Sequence, residues 1–235
     1  MFPDDSIQSL TDDWWVDDRS QTIKRGRLIR TFVPYPEMKP HRLVPQDRGA
    51  DARQHTRATF RLEGFRIGDP PPPVGPLPVA ALPLRDGETY LVQRGKVRPA
   101  VVLSTGGTEV PTTIRGGHER WQAARTLLVA PFYGADPGGT RGGWPAQFVQ
   151  RIRRAEYPQY VWDQLPLPGG PTESILRLDH LMAIGADPAA FRIEPHCLSA
   201  EALPIVDAWL HWLVTDMLQM DSMLAMIRVD FAKLP

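Results

Sequence analysis

The segment ESILRLDHLMAIG, residues 173–185, places an arginine and a carboxylate two positions apart, at Arg177 and Asp179. The apolar residues around them predict a β-strand, in which residues i and i+2 point to the same face. A carboxylate beside a guanidinium stays ionised and oriented, and such a group can take up a proton next to a bound phosphate. The alternative is a plain ion pair on the outside of the protein. In an ideal strand His180 would point to the opposite face.

A second cationic group stands at the entrance of an apolar strand. The stretch RGKVRPAVVLS contains Arg94, Lys96 and Arg98 directly before Pro99 and an aliphatic run. Proline cannot donate a ladder hydrogen bond, so this strand entrance fits the rim of a sheet. Arg98 is therefore either a phosphate-binding cation at that rim or a solvated charge that covers the opening.

Arginines and aromatic residues lie close together in RIRRAEYPQYVW, residues 151–162. The set consists of Arg151, Arg153, Arg154, Tyr157, Tyr160 and Trp162. We expect AQFVQRIRRA and YPQYVWDQL to form a pair of strands, the first alternating Phe148, Gln150 and Ile152. Cations that bind phosphates beside rings that stack on bases are typical of single-stranded RNA binding. An exposed hairpin with ordinary aromatic packing is the alternative.

The composition limits the class of protein. The chain has 235 residues, with 27 Lys plus Arg against 27 Asp plus Glu, so a nucleic-acid site must be a local patch. The single cysteine, Cys197, excludes internal disulfides and multi-cysteine zinc sites. We find no metal-ligand spacing and no nucleotide-binding loop, and we expect no metal and no cofactor. The N-terminus lacks a signal-peptide pattern and no stretch is apolar enough for a membrane span, which predicts a cytoplasmic protein without membrane contact.

The order of elements predicts a mainly β (α+β) protein. Short strands separated by Pro and Gly are expected within residues 26–33, 59–67, 87–93, 98–104 and 124–133, and residues 36–58 show no clear period. A long helix follows, with Ser199 as its N-cap. This order favours a small barrel or curved antiparallel sheet closed by a C-terminal helix. We divide the chain into an acidic tail (1–22), the barrel (23–198, with a Pro-rich insertion at about 36–87) and the helix (199–235).

Three further segments allow two interpretations each. The tail contains TDDWWVDD, and it is either a disordered or strand-adding segment or an internal mimic of RNA. The Pro-rich residues 68–86 form a rigid linker or an arm that binds an aromatic groove. The methionines at 217, 220, 223 and 226 fill core or dimer contacts, or they form an adaptable partner surface. Trp209, His211 and Trp212 are expected to be packing residues.

Four segments together resemble the MazF/PemK family, the ribonuclease toxins of bacterial toxin–antitoxin pairs. They are KRGRLIRTFVP, RGKVRPAVVLS, ARTLLVAPFYG and ESILRLDHLMAIG, in the order of the family, and CLSAEALPIVDAWLHWL is similar to its closing helix. Matched segments cover a third to a half of the chain. The chain is about twice the usual family length, with about fifty extra residues between the first strand and the Arg-Pro strand. It also carries Tyr133 where family members commonly have Thr or Ser.

The resemblance implies an SH3-like barrel and metal-independent cleavage of single-stranded RNA. It makes Asp179 the candidate base, with Arg177 and Arg98 stabilising the phosphorane, and it places Arg94, Lys96 and Tyr133 along the RNA path. It also implies a homodimer and an antitoxin partner, whose inhibitory role the acidic tail could supply from within the chain. The alternative is an inactive module of the same fold that binds RNA or a protein, since Tyr133 departs from the family pattern. A third hypothesis is an interaction protein built on the Pro-rich arm and the Met-rich helix.

Overall fold

A computed structural model describes residues 2–48, 51, 53–54, 58–70, 87–117, 124–136 and 143–233. Strands hold 34% of the residues and helices 21%, so the protein is mainly β, as the sequence predicts. The chain divides into two compact units, the first made of Met1–Phe32 with Val97–Pro235 and the second of Val33–Lys96. The second unit includes the residues 36–87 that we interpret as an insertion. No helix in the described part of the chain is long and apolar enough to cross a membrane.

The described strands and helices are numbered in chain order. The strands are β1 (Trp15–Asp17), β2 (Arg27–Pro34), β3 (His41–Arg48), β4 (Ala58–Gly64), β5 (Tyr90–Val92), β6 (Gly95–Ser104), β7 (Thr126–Gly134), β8 (Tyr160–Asp163), β9 (Ser174–Arg177), β10 (Met182–Gly185) and β11 (Phe191–Leu198). The helices are α1 (Ala146–Arg153), α2 (Ala202–Thr215) and α3 (Met223–Phe231). Short 3₁₀ turns occupy Ile7–Leu10, Leu178–His180 and Pro188–Ala190.

The first unit is built on a strongly curled antiparallel sheet that forms a half-barrel. Its strand order is β1-β11-β2-β6-β7-β9-β8, and β10 pairs with β7 beside this path. The main core lies on one face, where Val101, Phe132 and Leu176 pack with Trp209 of α2 and Leu224 of α3. Side chains alternate along each strand, so the neighbouring residues face the other side.

The opposite face of the sheet carries two smaller hydrophobic clusters. One contains Ile29, Val102 and Val129 from β2, β6 and β7. The other lies under α1 and includes Val149, Ile152, Trp162 and Ile175. A sheet with apolar contacts on both faces explains the continuous aliphatic runs of β6 and β7.

Residues 146–153 form a helix, so the prediction of a strand there is wrong. Val149 and Ile152 are three positions apart and both are buried, whereas Gln150 and Arg151 are exposed. This spacing fits one helical turn, and it leaves a polar residue where an alternating strand would need a buried one. Pro145 occupies the N-cap position, where its missing N–H costs nothing.

The C-terminal region forms two helices, which corrects the expectation of one long helix over 199–235. Ser199 accepts a hydrogen bond from the N–H of Ala202 at 3.0 Å, as its predicted capping role requires. Asp216 adopts a left-handed conformation with φ of 55° and ends α2, and the Ser222 hydroxyl then caps α3. The methionines at 217, 220, 223 and 226 are all exposed in this chain, so they do not fill its core.

The N-terminal tail belongs to the first unit. β1 pairs with β11, with Trp15 opposite Leu198, which confirms strand addition. Trp14 is buried, and its indole N–H donates to Asp163 Oδ2 at 3.0 Å. Trp15 donates to the other carboxylate oxygen of Asp163, also at 3.0 Å. The proposed RNA mimicry of this tail stays a prediction.

The second unit contains a three-stranded antiparallel sheet of order β4-β3-β5. β4 overlaps the strand expected at 59–67, and β5 falls within the strand expected at 87–93. β3 was missed, because its residues His41–Arg48 include Pro45, and proline within a run argues against a strand. The register shifts between Pro45 and Asp47, and a β-bulge of this kind accommodates the missing N–H. Residues 71–86 of the Pro-rich segment lie outside the described residues.

Candidate functional site

Cross-strand pairing brings the predicted site residues to one face of the first sheet. Tyr160 of β8 lies opposite Arg177 of β9, and Tyr133 of β7 lies opposite Ile175 of β9. Directly paired residues share a face, and so do residues two positions apart on one strand. Tyr133, Tyr160 and Arg177 therefore line the same face, which is the one that carries the two smaller hydrophobic clusters.

Arg177 and Asp179 form the ion pair that the sequence predicts. Arg177 Nε donates to Asp179 Oδ1 and its Nη2 donates to Oδ2, both at 2.7 Å. This bidentate geometry is the strong form of an arginine–carboxylate contact. The expected strand, however, ends at Arg177, and Asp179 lies in the 3₁₀ turn Leu178–His180 that separates β9 from β10. The pair is thus made across a turn and not along a strand face.

His180 joins the same group, contrary to the expectation that it faces away. A 3₁₀ turn brings residues i and i+3 into line, so His180 returns to the side of Arg177. Its Nε2 lies 2.7 Å from Arg177 Nη2, and its Nδ1 lies 2.8 Å from the Tyr133 hydroxyl. A guanidinium can only donate, so Nε2 accepts, and the neutral ring then carries its hydrogen on Nδ1 and donates it to Tyr133.

Arg98 completes the group from β6. Its guanidinium carbon lies 4.1 Å from the centre of the Tyr133 ring, a cation–π contact. Pairing of Ala100 with Pro131 places the β6 entrance beside the end of β7, which explains this contact. We call Arg98, Tyr133, Arg177, Asp179 and His180 the catalytic cluster, after the role that the family resemblance implies for Arg98, Arg177 and Asp179. They come from β6, β7, β9 and the following turn.

The charge of Arg177 is firmly held. Partial burial lowers its pKa, but the hydrogen bonds and charge of Asp179 outweigh this and the pKa is raised. The guanidinium of Arg177 is thus a fixed positive charge, and the side chain of Asp179 is 29% exposed beside it. The Nη1 group of Arg177 makes no hydrogen bond to the residues that the structure describes, so it can donate to an incoming anion.

The two predicted RNA-binding arginines of α1 are not in the catalytic cluster. Arg151 pairs with Glu156 at 2.6 Å and lies over the Tyr157 ring. Arg153 pairs with Asp5 at 3.1 Å and stacks on the Trp162 ring.

The remaining predicted cations are Arg154, at the C-cap of α1, and Arg94 and Lys96. Arg154 lines a small cavity of about 250 Å³ with Arg228 of α3. Arg94 and Lys96 belong to the second unit. The structure therefore brings together Arg98, Arg177 and Asp179 with Tyr133 and Tyr160.

Sequence reasoning missed two members of this region. The sequence predicts the wrong face for His180 because the 3₁₀ turn after Arg177 has no strong local signal. Trp144 is not among the predicted site residues, although its ring lies 6.0 Å from the Arg177 guanidinium carbon. Its position directly before Pro145, which starts α1, was the available clue.

No protein-family model matches this chain, and no curated protein matches it. Among the described residues, no group of three or more His, Cys, Asp and Glu side chains could hold a metal ion. A function must therefore be argued from the geometry of the catalytic cluster, together with the resemblance of the four sequence segments.

Proposed function

We propose that the protein is a metal-independent endoribonuclease that cleaves single-stranded RNA at the catalytic cluster. The observation that carries this proposal is His180, which is hydrogen-bonded to a cation through Nε2 and to a tyrosine hydroxyl through Nδ1. Cleavage through the 2′-hydroxyl needs a proton acceptor, a proton donor and positive charge around the phosphate. The cluster contains a side chain for each requirement.

Arg177 and Arg98 are the proposed phosphate ligands. Arg177 Nη1 offers two N–H groups, and the bidentate bond to Asp179 fixes the plane of its guanidinium. A fixed donor costs little reorganisation when negative charge develops on the phosphorane. Arg98 supplies a second cation next to the Tyr133 ring.

His180 is the proposed base, in place of Asp179. Histidine exchanges protons near neutral pH, whereas an aspartate is a weak base, and Asp179 accepts two hydrogen bonds from Arg177 where His180 accepts one. The imidazole of His180 turns from Arg177 Nη2 to the 2′-hydroxyl and takes its proton on Nε2, while the bond of Arg177 to Asp179 stays in place. The O2′–P bond then forms, the P–O5′ bond breaks, and the Tyr133 hydroxyl protonates the leaving O5′. The products are a 2′,3′-cyclic phosphate and a 5′-hydroxyl.

The wider biological setting is part of the same proposal. The half-barrel sheet with helices after β11 and the four segments resembling MazF/PemK proteins support an SH3-like barrel and a toxin of a toxin–antitoxin system. A homodimer, an antitoxin protein and a cytoplasmic location are expected on the same grounds. The extra second unit sets this chain apart from that family pattern.

Incubation of the purified chain with a long single-stranded RNA in EDTA tests the proposal. We expect fragments with 2′,3′-cyclic phosphate ends, and His180→Ala should reduce their rate about 100- to 10,000-fold. His211→Ala is the matched control, because this histidine lies on α2, outside the cluster. Cleavage that survives in His180→Ala but is lost in Asp179→Asn would return the role of base to Asp179.

A non-catalytic binding module is the second candidate. The observation in its favour is that Tyr133 occupies the position where the family commonly has Thr or Ser, and its ring is held by Arg98. RNA retained in a gel-shift assay without cleavage in EDTA, by both the unmodified chain and His180→Ala, would establish this alternative.

A further inference from the structure

Four aromatic rings form a continuous surface next to the catalytic cluster, one on α1, one on β8 and two in the chain segments beside them. Trp144 stacks on Phe148, with ring centres 5.2 Å apart and planes 17° apart. Tyr160 meets the edges of both rings, each at 5.7 Å, and Tyr157 lies 5.3 Å from Phe148. We call these four residues the aromatic platform.

The platform touches the phosphate-binding end of the cluster. The Arg177 guanidinium carbon lies 5.0 Å from the centre of the Tyr160 ring and 6.0 Å from that of Trp144. At the far end, the Arg151 guanidinium carbon lies 4.9 Å over the Tyr157 ring. The rings are thus flanked by a cation at each end, which is the arrangement that single-stranded nucleic acids use for phosphates and bases.

Packing alone does not account for the platform. The buried residues beneath it, including Val149, Ile152 and Ile175, need an apolar cover, and the platform supplies one. Yet all four rings stay partly exposed, and three are polar-edged Trp or Tyr rings. Such rings suit a surface that is wet in one state and covered in another.

We propose that Trp144 and Tyr160 form a stacking subsite for the nucleobase next to the phosphate held by Arg177. This subsite rests on the proposed binding of single-stranded RNA. It adds the contact that fixes the position of the RNA along the binding surface. Stacking is tolerant of base identity because every base has a π-face. The subsite therefore contributes affinity and positioning, and it does not select one base.

A thermodynamic cycle between protein and RNA tests this subsite. The His180→Ala chain, in which we expect RNA to be bound and cut far more slowly, is titrated with a fluorescein-labelled RNA decamer and with decamers that each lack one base. We expect Trp144→Ala to weaken binding of the intact decamer about 5- to 100-fold. With the decamer that lacks the stacked base, Trp144→Ala should have little further effect, since both changes remove the same contact.

Trp212 provides the matched control, because it also packs under an arginine, Arg228, at 4.2 Å, but lies on α2. Trp144→Phe keeps a ring and should bind within a few-fold of the parent, and thermal melting confirms that each variant is folded. Equal losses in Trp144→Ala and Trp212→Ala, or losses that add at every abasic position, would overturn the subsite.

A failure of the proposed cleavage can be distinguished from a failure of the subsite. If the unmodified chain leaves RNA intact in EDTA but Trp144 is still coupled to one base, the ribonuclease proposal is overturned and the subsite stands. Absence of RNA binding by the unmodified and His180→Ala chains would overturn both.

Discussion

The β8–β9 hairpin holds a carboxylate group near each of its ends, and the two differ in burial and in the groups that donate hydrogen bonds to them. At one end Asp163 is 2% exposed, and its two oxygens accept the indole N–H groups of Trp14 and Trp15. At the other end Asp179 is exposed, and its oxygens accept from the guanidinium of Arg177. The first carboxylate is surrounded by neutral rings, and the second lies beside a cation at the surface.

This difference separates a carboxylate that holds distant parts of the fold together from one that orients a neighbouring arginine. Burial raises the pKa of Asp163 from 3.8 to about 7, against the opposing hydrogen bonds from Trp15, Trp14 and the Gln164 backbone. Its hydrogen bonds join the N-terminal tail to the sheet, over 149 residues of sequence. Asp179 fixes the orientation of Arg177, the proposed phosphate ligand. The perturbed pKa therefore belongs to the structural carboxylate and not to the carboxylate of the candidate site.

Asp163→Ala should give the largest change in stability. The substitution leaves the indole N–H groups of buried Trp14 and half-buried Trp15 without their acceptor, and an unsatisfied buried donor costs about 1–3 kcal/mol. We expect a loss of several kcal/mol in urea unfolding, while Asp179→Ala costs about 1 kcal/mol or less because its side chain is exposed. Similar losses of unfolding free energy in the two variants would show that Asp163 is no more important for stability than Asp179.

The stability of the folded chain should also depend on pH through Asp163. Its pKa in the folded state, about 7, lies above that in the unfolded state, so the folded chain binds the proton more tightly. This contribution is fully present below about pH 4 and is lost as the pH rises to about 7. Between pH 5 and pH 8 we expect the free energy of unfolding to fall by about 3 kcal/mol.

Asp163→Asn is the reference for that measurement, because its amide does not titrate. Subtracting its urea unfolding curves from those of the unmodified chain at each pH isolates the contribution of Asp163. A difference that stays constant from pH 5 to pH 8 would mean that the carboxyl group is already ionised in the folded chain throughout this range.

Tyr133→Phe sharpens the chemical end of the comparison. It removes the hydroxyl that bonds to His180 Nδ1 but keeps the ring under Arg98. We expect kcat for RNA cleavage to fall about 10- to 100-fold, with KM within about twofold. A rise in KM with unchanged kcat would instead show that Tyr133 acts in binding alone.

Ser174→Ala, at the end of the hairpin that contains Asp163, should give the smallest change in stability. Ser174 lies opposite Asp163, and its buried hydroxyl has no hydrogen-bond partner among the described residues. Removing an unsatisfied hydroxyl is neutral or stabilises by about 1 kcal/mol. Thermal unfolding measures this, and a marked fall in Tm would show that the hydroxyl is bonded in solution.

Local patterns in the sequence predict much of the first sheet. The aliphatic runs of β6 and β7 identify buried strands, and the spacing of Arg177 and Asp179 predicts their pairing. The same reasoning fails for α1. Over its eight residues the apolar positions fit both the alternation of a strand and the spacing of a helix, and only the observed burial distinguishes the two. His180 was misplaced for a related reason, since one 3₁₀ turn reverses the direction of a side chain.

Contacts between distant residues leave little trace in a single sequence. The hydrogen bonds of Asp163 with Trp14 and Trp15 depend on where the chain returns in space, and each residue looks ordinary in its own segment. The contact between Trp144 and Arg177 also joins residues that are far apart in the sequence, and Trp144 lies in a segment without a regular pattern. The tail was for this reason given a peripheral place, although Trp14 is among the largest fully buried side chains.

The pairing of β1 with β11 has a consequence for how the chain is made. Trp15 leaves the ribosome long before its partner Leu198 is synthesised, so the first strand has nothing to pair with during most of translation. Trp14 likewise waits for Asp163 before its indole is satisfied. A nascent chain shorter than about β11 lacks the edge that closes the sheet on this side. The first sheet therefore stays open at this edge until β11 has left the ribosome.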